Sequence, residues 1–292
     1  MTVDVAVVGA PFLDVTFEGM PHLPLPGQEV VGRALHLTPG GTGLQAVAVA
    51  RLGMSVVLVA PLGSDAAGRL LRACFHAEGV RVIDGGRTGD TPVSALLSAP
   101  EGVAVATVQG SGEPDPADVR DARATAVVGS LGRLHLMPGG HAVYAVTGAL
   151  ELGGIDRATL ARLARARAFV SNAAEATAIS GLDDPEAAAR HLAALGPTAV
   201  VTLGSDGAVA AEGDGVVHVA APEVPVADAT GAGDAFVPAY LWADLRKMRL
   251  RDRLEWATLY ASLSVRAPTA LAGAVRLQEL LREGAARGLT PP

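Results

Sequence analysis

Lysine is almost missing from this sequence. Of 23 basic residues only Lys247 is a lysine, and the rest are arginines. This removes mechanisms that need a buried lysine, including Schiff-base chemistry and the lysine of a P-loop. Cysteine is nearly missing too. With Cys74 alone there is no internal disulfide, and its place in the amphipathic pattern RLLRACFHAEGV suits a small buried hydrophobe. That usage fits a cytoplasmic protein. Aromatic residues make up 3% of the chain, which does not suit an aromatic-rich binding surface. No stretch approaches the roughly 18 apolar residues of a membrane helix, so no membrane partner is expected. The first residues, MTVDVAVVGA, carry an acid at position 4 and no basic start, unlike a secretory leader. No basic block is present, and the formal net charge of −7 argues against nucleic acid as a partner.

What is present is an Ala-, Gly- and Val-rich chain of 292 residues, 50% hydrophobic and with 35 glycines. That composition suits a sizeable core with close helix-on-sheet packing. Apolar runs such as VDVAVVGA, SVVLVAPLG, RVIDGG, TAVVGS, AFVSN and TAVVTLG read as strands. Between them lie helical patterns such as SDAAGRLLRACFHAEG, DRATLARLARA and PEAAARHLAAL. The alternation predicts an α/β fold with a mainly parallel sheet covered on both faces, over one domain spanning 1–292. Two β-rich excursions, near residues 12–37 and 92–108, interrupt it and could pair into a small sheet acting as a lid. The second reads as a hairpin turning at Pro100–Gly102. GAVAAEGDGVVHVAAP reads as another, and TPGGTGLQAVAVARLG as a Gly-rich turn followed by a helix.

The segment DATGAGDAF, Asp228–Phe236, is open to three readings. A dinucleotide fingerprint would need a third glycine where Phe236 stands, and would follow the first strand. A P-loop would need a lysine. A tight turn into a helix would leave Asp234 as an ordinary first-turn acid. The chemical reading starts from the unpaired amides and positive dipole end of a helix N-terminus, which attract anions, and from small residues, which let a polyphosphate come close. A carboxylate there repels phosphate as a ligand. It is well placed to take a proton from a hydroxyl that attacks that phosphate.

These residues resemble the C-terminal signature of the PfkB, or ribokinase-like, sugar and nucleoside kinases. GAPFLD (Gly9–Asp14), GGTGLQAVAVARLG, PLGSDAAG, SNAAEATAISG and VVTLGSDGAV resemble further motifs of that family, in its order along the chain. The resemblance implies a three-layer α/β/α sandwich with a small β-sheet lid, and ATP-dependent phosphorylation of a primary hydroxyl on a sugar, sugar acid or nucleoside. It implies Asp234 as general base and an anion hole from the amides of Gly231, Ala232 and Gly233. Asp14, Gly40 and Gly41 would bind the acceptor. Asn172, Thr202, Gly204, Ser205, Gly207 and Thr258 would border ATP. Asn172 and Glu175 would organise Mg²⁺ through its waters. Asp228 and Thr230 would hold a monovalent cation such as K⁺. A homodimer joined through the lid is also implied.

The chain departs from the family pattern in places. The family's signature has an asparagine just after the Gly-rich turn. Here the loop is one residue short, Leu44 takes that place, and neighbouring Gln45 could supply an amide to the acceptor. SVRAPTALAG lacks a glycine that many members have near Thr269, which leaves activation by potassium open. These departures motivate an alternative, a catalytically weakened relative that senses nucleotide or sugar. His135 and His141 fit no zinc spacing. Trp242 and Trp256 are expected in the core, and Phe12, Phe17, His22 and Arg33 in or beside the first excursion.

Overall fold

Val- and Ala-rich runs form strands because β-branched and small side chains pack well on a pleated sheet. In this computed structural model, residues 2–85, 89–110, 112–137 and 139–292 are described. The strands are β1 (Val3–Val8), β2 (Pro11–Glu18), β3 (Ala34–Gly41), β4 (Val56–Val59), β5 (Arg81–Ile83), β6 (Val93–Ala99) and β7 (Gly102–Val108), then β8 (Ala124–Ser130), β9 (Ala142–Val146), β10 (Ala168–Asn172), β11 (Thr198–Thr202), β12 (Ala208–Glu212) and β13 (Gly215–Val219). The helices are α1 (Thr42–Arg51), α2 (Ala66–Ala77), α3 (Pro116–Asp121), α4 (Arg157–Ala161) and α5 (Ala173–Ser180), then α6 (Pro185–Ala193), α7 (Ala232–Leu245), α8 (Leu250–Ser264), α9 (Ala270–Gly273) and α10 (Leu277–Ala285). The strand expected over RVIDGG is realised as β5, and Gly86 lies outside the described residues.

A nine-stranded sheet runs in the order β13-β12-β11-β10-β9-β8-β1-β4-β5. Its pairs are parallel except β11–β12 and β12–β13, the hairpin turning at Gly-Asp-Gly. Alternation sends Val5 and Val7 to one face and Ala6 and Val8 to the other. The first face meets α1, α2, α7, α8 and α10 through Val47, Phe75, Trp242, Trp256 and Leu280. The second meets α3, α5 and α6 through Val119, Ala176 and Leu192. This is the expected three-layer α/β/α sandwich. Trp242 and Trp256 meet edge to face in its core, with ring centroids 5.6 Å apart.

A second sheet of four strands has the order β3-β2-β6-β7. Its outer pairs are antiparallel and its central pair, β2–β6, is parallel. The turn expected at Thr38–Gly41 is instead the end of β3, and α1 begins at the next residue. Gly41 makes this abrupt change by taking φ 54, a left-handed conformation that glycine adopts freely. One face of the small sheet carries Asp14, Thr16, Thr38 and Leu96 toward a pocket. The opposite face leaves Phe17, Leu35 and Leu37 exposed, at 39%, 57% and 49%.

Candidate active site

The loop Asp228–Gly231 leads into α7. Gly231 takes φ 78, and a Cβ there would lie 2.7 Å from the Ala270 Cβ and 3.0 Å from Leu44 Cδ2. Only glycine fits that close approach. No side chain caps the first turn of α7. The Ala232 N–H is used within the turn, bonding the Ala229 carbonyl at 3.3 Å. Gly233 follows, and a Cβ built on it would meet nothing within 4 Å. The positive end of a fourteen-residue helix is therefore open at this point.

Two cavities meet this helix start from opposite sides. The smaller, about 60 Å³, is lined by Asp14, Thr16, Thr38, Gly40, Gly41, Leu44, Thr230, Gly231 and Asp234, among others. The larger, about 740 Å³, is lined by Asn172, Thr202, Gly204, Ser205, Gly207, Ala232, Gly233 and Thr258, with further residues of the 221–226 segment and α8. Asp234 therefore faces one cavity while Ala232 and Gly233 face the other. Asn172 and Thr202 sit at the C-terminal ends of β10 and β11, the edge where open α/β sheets bind ligands.

In the smaller pocket Asp14 stands against Gly40, where a Cβ would come within 2.1 Å of a carboxylate oxygen. Burial, and then the charge of Asp234, push the Asp14 carboxyl up to about 7. Burial also raises the Asp234 carboxyl, opposed by a 2.7 Å hydrogen bond that the Gln45 amide donates to Oδ1. Gln45 does not line the pocket and is 3% exposed. The expectation that it offers its amide to an acceptor is corrected, because that amide is directed at Asp234. Leu44 does line the pocket, so the wall is apolar at the place of the family's asparagine. Asp228 and Thr230 also face it, and one Asp228 oxygen accepts the Thr230 N–H at 2.8 Å.

Asn172 and Glu175 form a capping box at the start of α5. The Asn172 side chain accepts the Glu175 N–H and Glu175 accepts the Asn172 N–H, both at 2.9 Å. Glu175 is buried and lines neither cavity. Its carboxyl is raised by burial first, and the charges of Asp234 and Glu151 add to this. Thr258 lines the larger cavity, and its hydroxyl is buried without a hydrogen-bond partner. The ring nitrogens Nδ1 of His135 and His141 meet the Gly132 and Ala124 carbonyls, and among the described residues no cluster of metal-ligating side chains exists.

Sequence reasoning missed Thr16, Thr38, Leu96, Thr269 and Leu271 in the smaller pocket, and Pro222, Glu223, Val224 and Val226 in the larger. Thr16 stands two residues from Asp14 on one strand, so the period-two pattern held that signal. The 221–226 segment carries no motif.

The family model described as pfkB family carbohydrate kinase matches residues 4–112 and 153–275. An aminoimidazole riboside kinase of Salmonella typhimurium is 30% identical over 70% of this chain and 73% of its own. An acarbose 7(IV)-phosphotransferase of Actinoplanes is 29% identical over 97% of this chain and 98% of its own. The solved structure of an Arabidopsis thaliana ribokinase complexed with ribose and ATP superposes with a TM-score of 0.77, covering 97% of this chain and 99% of that one. At 21% identity, it supports the fold alone.

Proposed function

This chain belongs to the pfkB family of carbohydrate kinases, and from that membership we propose that it transfers the γ-phosphoryl group of ATP to a primary hydroxyl of a sugar, sugar acid or nucleoside. The observation that carries the reading is the start of α7, with Asp234 lining one cavity and Ala232 and Gly233 lining the other. In this reading the smaller pocket takes the acceptor and the larger cleft takes ATP. Asp14 accepts hydrogen bonds from acceptor hydroxyls, beside Gly40 and Gly41. Asp234 takes the proton from the attacking hydroxyl. The hydroxyl oxygen forms a bond to the γ-phosphorus as the bond to the ADP oxygen breaks, and ADP leaves with that electron pair. The amides at Gly231–Gly233, above all Gly233, stabilise charge on the transferring group. Thr202, Gly204, Ser205, Gly207 and Thr258 border the nucleotide.

Asn172 and Glu175 suit magnesium held through water. Glu175 has one oxygen in the capping box and the other beyond it, and its carboxyl is raised first by burial and further by the nearby charges of Asp234 and Glu151. Magnesium bound with ATP would neutralise phosphate charge while keeping most of its waters. Asp228 and Thr230 would hold a monovalent cation, and a rate equal in potassium and sodium buffers would remove that role. The small sheet would act as a lid over the acceptor, within one domain of 1–292. Its exposed outer face, with Phe17, Leu35 and Leu37, would join two copies into a homodimer.

A coupled ADP-release screen tests the reading. It covers ribose, fructose, 2-keto-3-deoxygluconate, adenosine, pseudouridine and phosphorylated hexoses, with aminoimidazole riboside and acarbose added from the relatives. Turnover on at least one acceptor, lost in Asp234→Asn, is expected. Full turnover in Asp234→Asn would overturn it.

A further inference from the structure

We propose that Gln45 is the positioning residue for Asp234, fixing one carboxylate oxygen so that the other is presented to the acceptor. This rests on the reading of Asp234 as base. Four observations carry it. The Gln45 Nε2 donates to Asp234 Oδ1 at 2.7 Å across 189 positions of sequence, and this leaves Oδ2 as the free oxygen. Gln45 is almost fully buried, so the contact is not a surface accident. Its own Oε1 is buried without a hydrogen-bond partner, so among the described residues the side chain's one polar contact is with Asp234. An ionised carboxylate only accepts hydrogen bonds, so the amide's NH₂ end must be the one that meets it.

The fourth observation concerns the backbone. Pro238 lies inside α7, four residues after Asp234. It has no N–H to give to the Asp234 carbonyl, and its ring crowds that carbonyl. The helix therefore holds Asp234 less firmly than an ordinary first-turn residue, and a side-chain tether gains importance. Gln45 lies one helical turn after Gly41, whose neighbour Gly40 backs Asp14. The end of β3 that backs Asp14 thus runs directly into the helix that carries the clamp on the base. Leu44 packs against Gly231 beside it, closing α1 onto the start of α7.

The contact has an electrostatic consequence. The acids facing Asp234 are Asp14 on β2 and Glu175 on α5, with Asp228 lining the same pocket. Burial resists ionisation of Asp234, and the Gln45 amide opposes it. Removing the amide therefore moves the Asp234 carboxyl to higher pH, and the acidic limb of the kcat/KM profile moves with it.

The test uses Gln45→Met, which keeps the volume and removes the unpartnered oxygen, so its one polar cost is the lost hydrogen bond to Asp234. Gln45→Asn keeps the amide on a side chain one methylene shorter. The full-length protein carries ¹³C-labelled aspartate, and Asp234→Asn identifies the Asp234 carboxyl resonance. In both variants that resonance should titrate at higher pH than in the parent. With the best acceptor of the screen, kcat should fall roughly ten- to a hundredfold while the ADP dissociation constant stays at the parent value. An unmoved titration midpoint in either folded variant overturns the proposal, as does an unmoved kcat. The kinase reading fails separately, through an Asp234→Asn variant that still turns over.

Discussion

Gly40 sets how far Asp14 can extend into the acceptor pocket. In Gly40→Ala the new Cβ would lie 2.1 and 2.5 Å from the two Asp14 carboxylate oxygens and 2.4 Å from the carbon between them. Contacts of a real Cβ become ordinary near 3.4 Å, so the carboxyl must withdraw by on the order of 1 Å. Gly40 does not have a left-handed backbone, so the alanine itself is not strained. The obstacle is the end of one side chain, so folding should cost about 1 kcal/mol, the low end for overpacking. Misplacing a binding group by about 1 Å can cost on the order of 10²-fold in rate. The expected variant melts close to the parent and binds ADP normally by calorimetry, because the larger cavity proposed for the nucleotide lies across the start of α7. It loses about 10- to 100-fold in kcat/KM for the acceptor in the coupled assay. Combined with Asp14→Asn, it should add little to the loss of Asp14→Asn alone, because both act through one carboxyl. Parent values of kcat and KM in Gly40→Ala would refute the reasoning.

Burial raises the Asp14 carboxyl from 3.8 in the unfolded chain to about 7, so the cost of ionising it in the fold is absent below 3.8 and complete above about 7. Asp14→Asn should therefore stabilise the chain more at pH 8 than at pH 4, by no more than about 4 kcal/mol, less what solvent in the pocket screens; equal gains in urea melts at the two pH values would refute this. Hydroxyls donating to Asp14 favour its ionised form, so KM for the acceptor should fall as pH rises through about 7. Arg51 bonds the Leu271 and Ala274 carbonyls and pairs with Glu78. Arg51→Met should cost about 2–4 kcal/mol in thermal melts, and should raise KM for the acceptor without changing ADP affinity, because Thr269–Leu271 line the acceptor pocket. Leu35→Glu with Leu37→Glu should halve the mass seen by light scattering, and a parent that already has the monomer mass would dismiss a lid-to-lid dimer.

Some of this protein could be read from local sequence and some could not. Strand and helix alternation is a local pattern, so the layered sandwich and both β-rich excursions were legible. The turn expected at Thr38–Gly41 was not, because a glycine pair signals flexibility without saying whether the chain bends before or after it. Here β3 keeps its pairing with β2 as far as Gly41 and Pro11, and tertiary pairing prevails over turn propensity. Asp234 could be singled out as a candidate because its helix start has a local signature. Thr38 was missed because it is set beside Asp14 only by the pairing of β3 with β2.

Gln45 shows where such reading stops. Its polarity and its place near the glycines were visible, and both suggested an amide offered to the acceptor. Its direction depended on α1 packing against α7, a contact across 189 positions of sequence. A buried amide can serve a ligand or a neighbouring side chain, and composition cannot choose between them. The choice falls to whichever partner would lose more by going unpaired. A buried carboxylate loses more than an acceptor hydroxyl, which water can still reach. Leu44, beside it, then needs no polar role, because the pocket's polar work is done by Asp14, Thr16 and Thr38. In the proposed reading the departure from the family's asparagine falls on the acceptor wall at Leu44, and the proposed base Asp234 is kept. It bears on which hydroxylated molecule fits, and an acceptor with an apolar edge facing Leu44 and Leu96 meets that wall best.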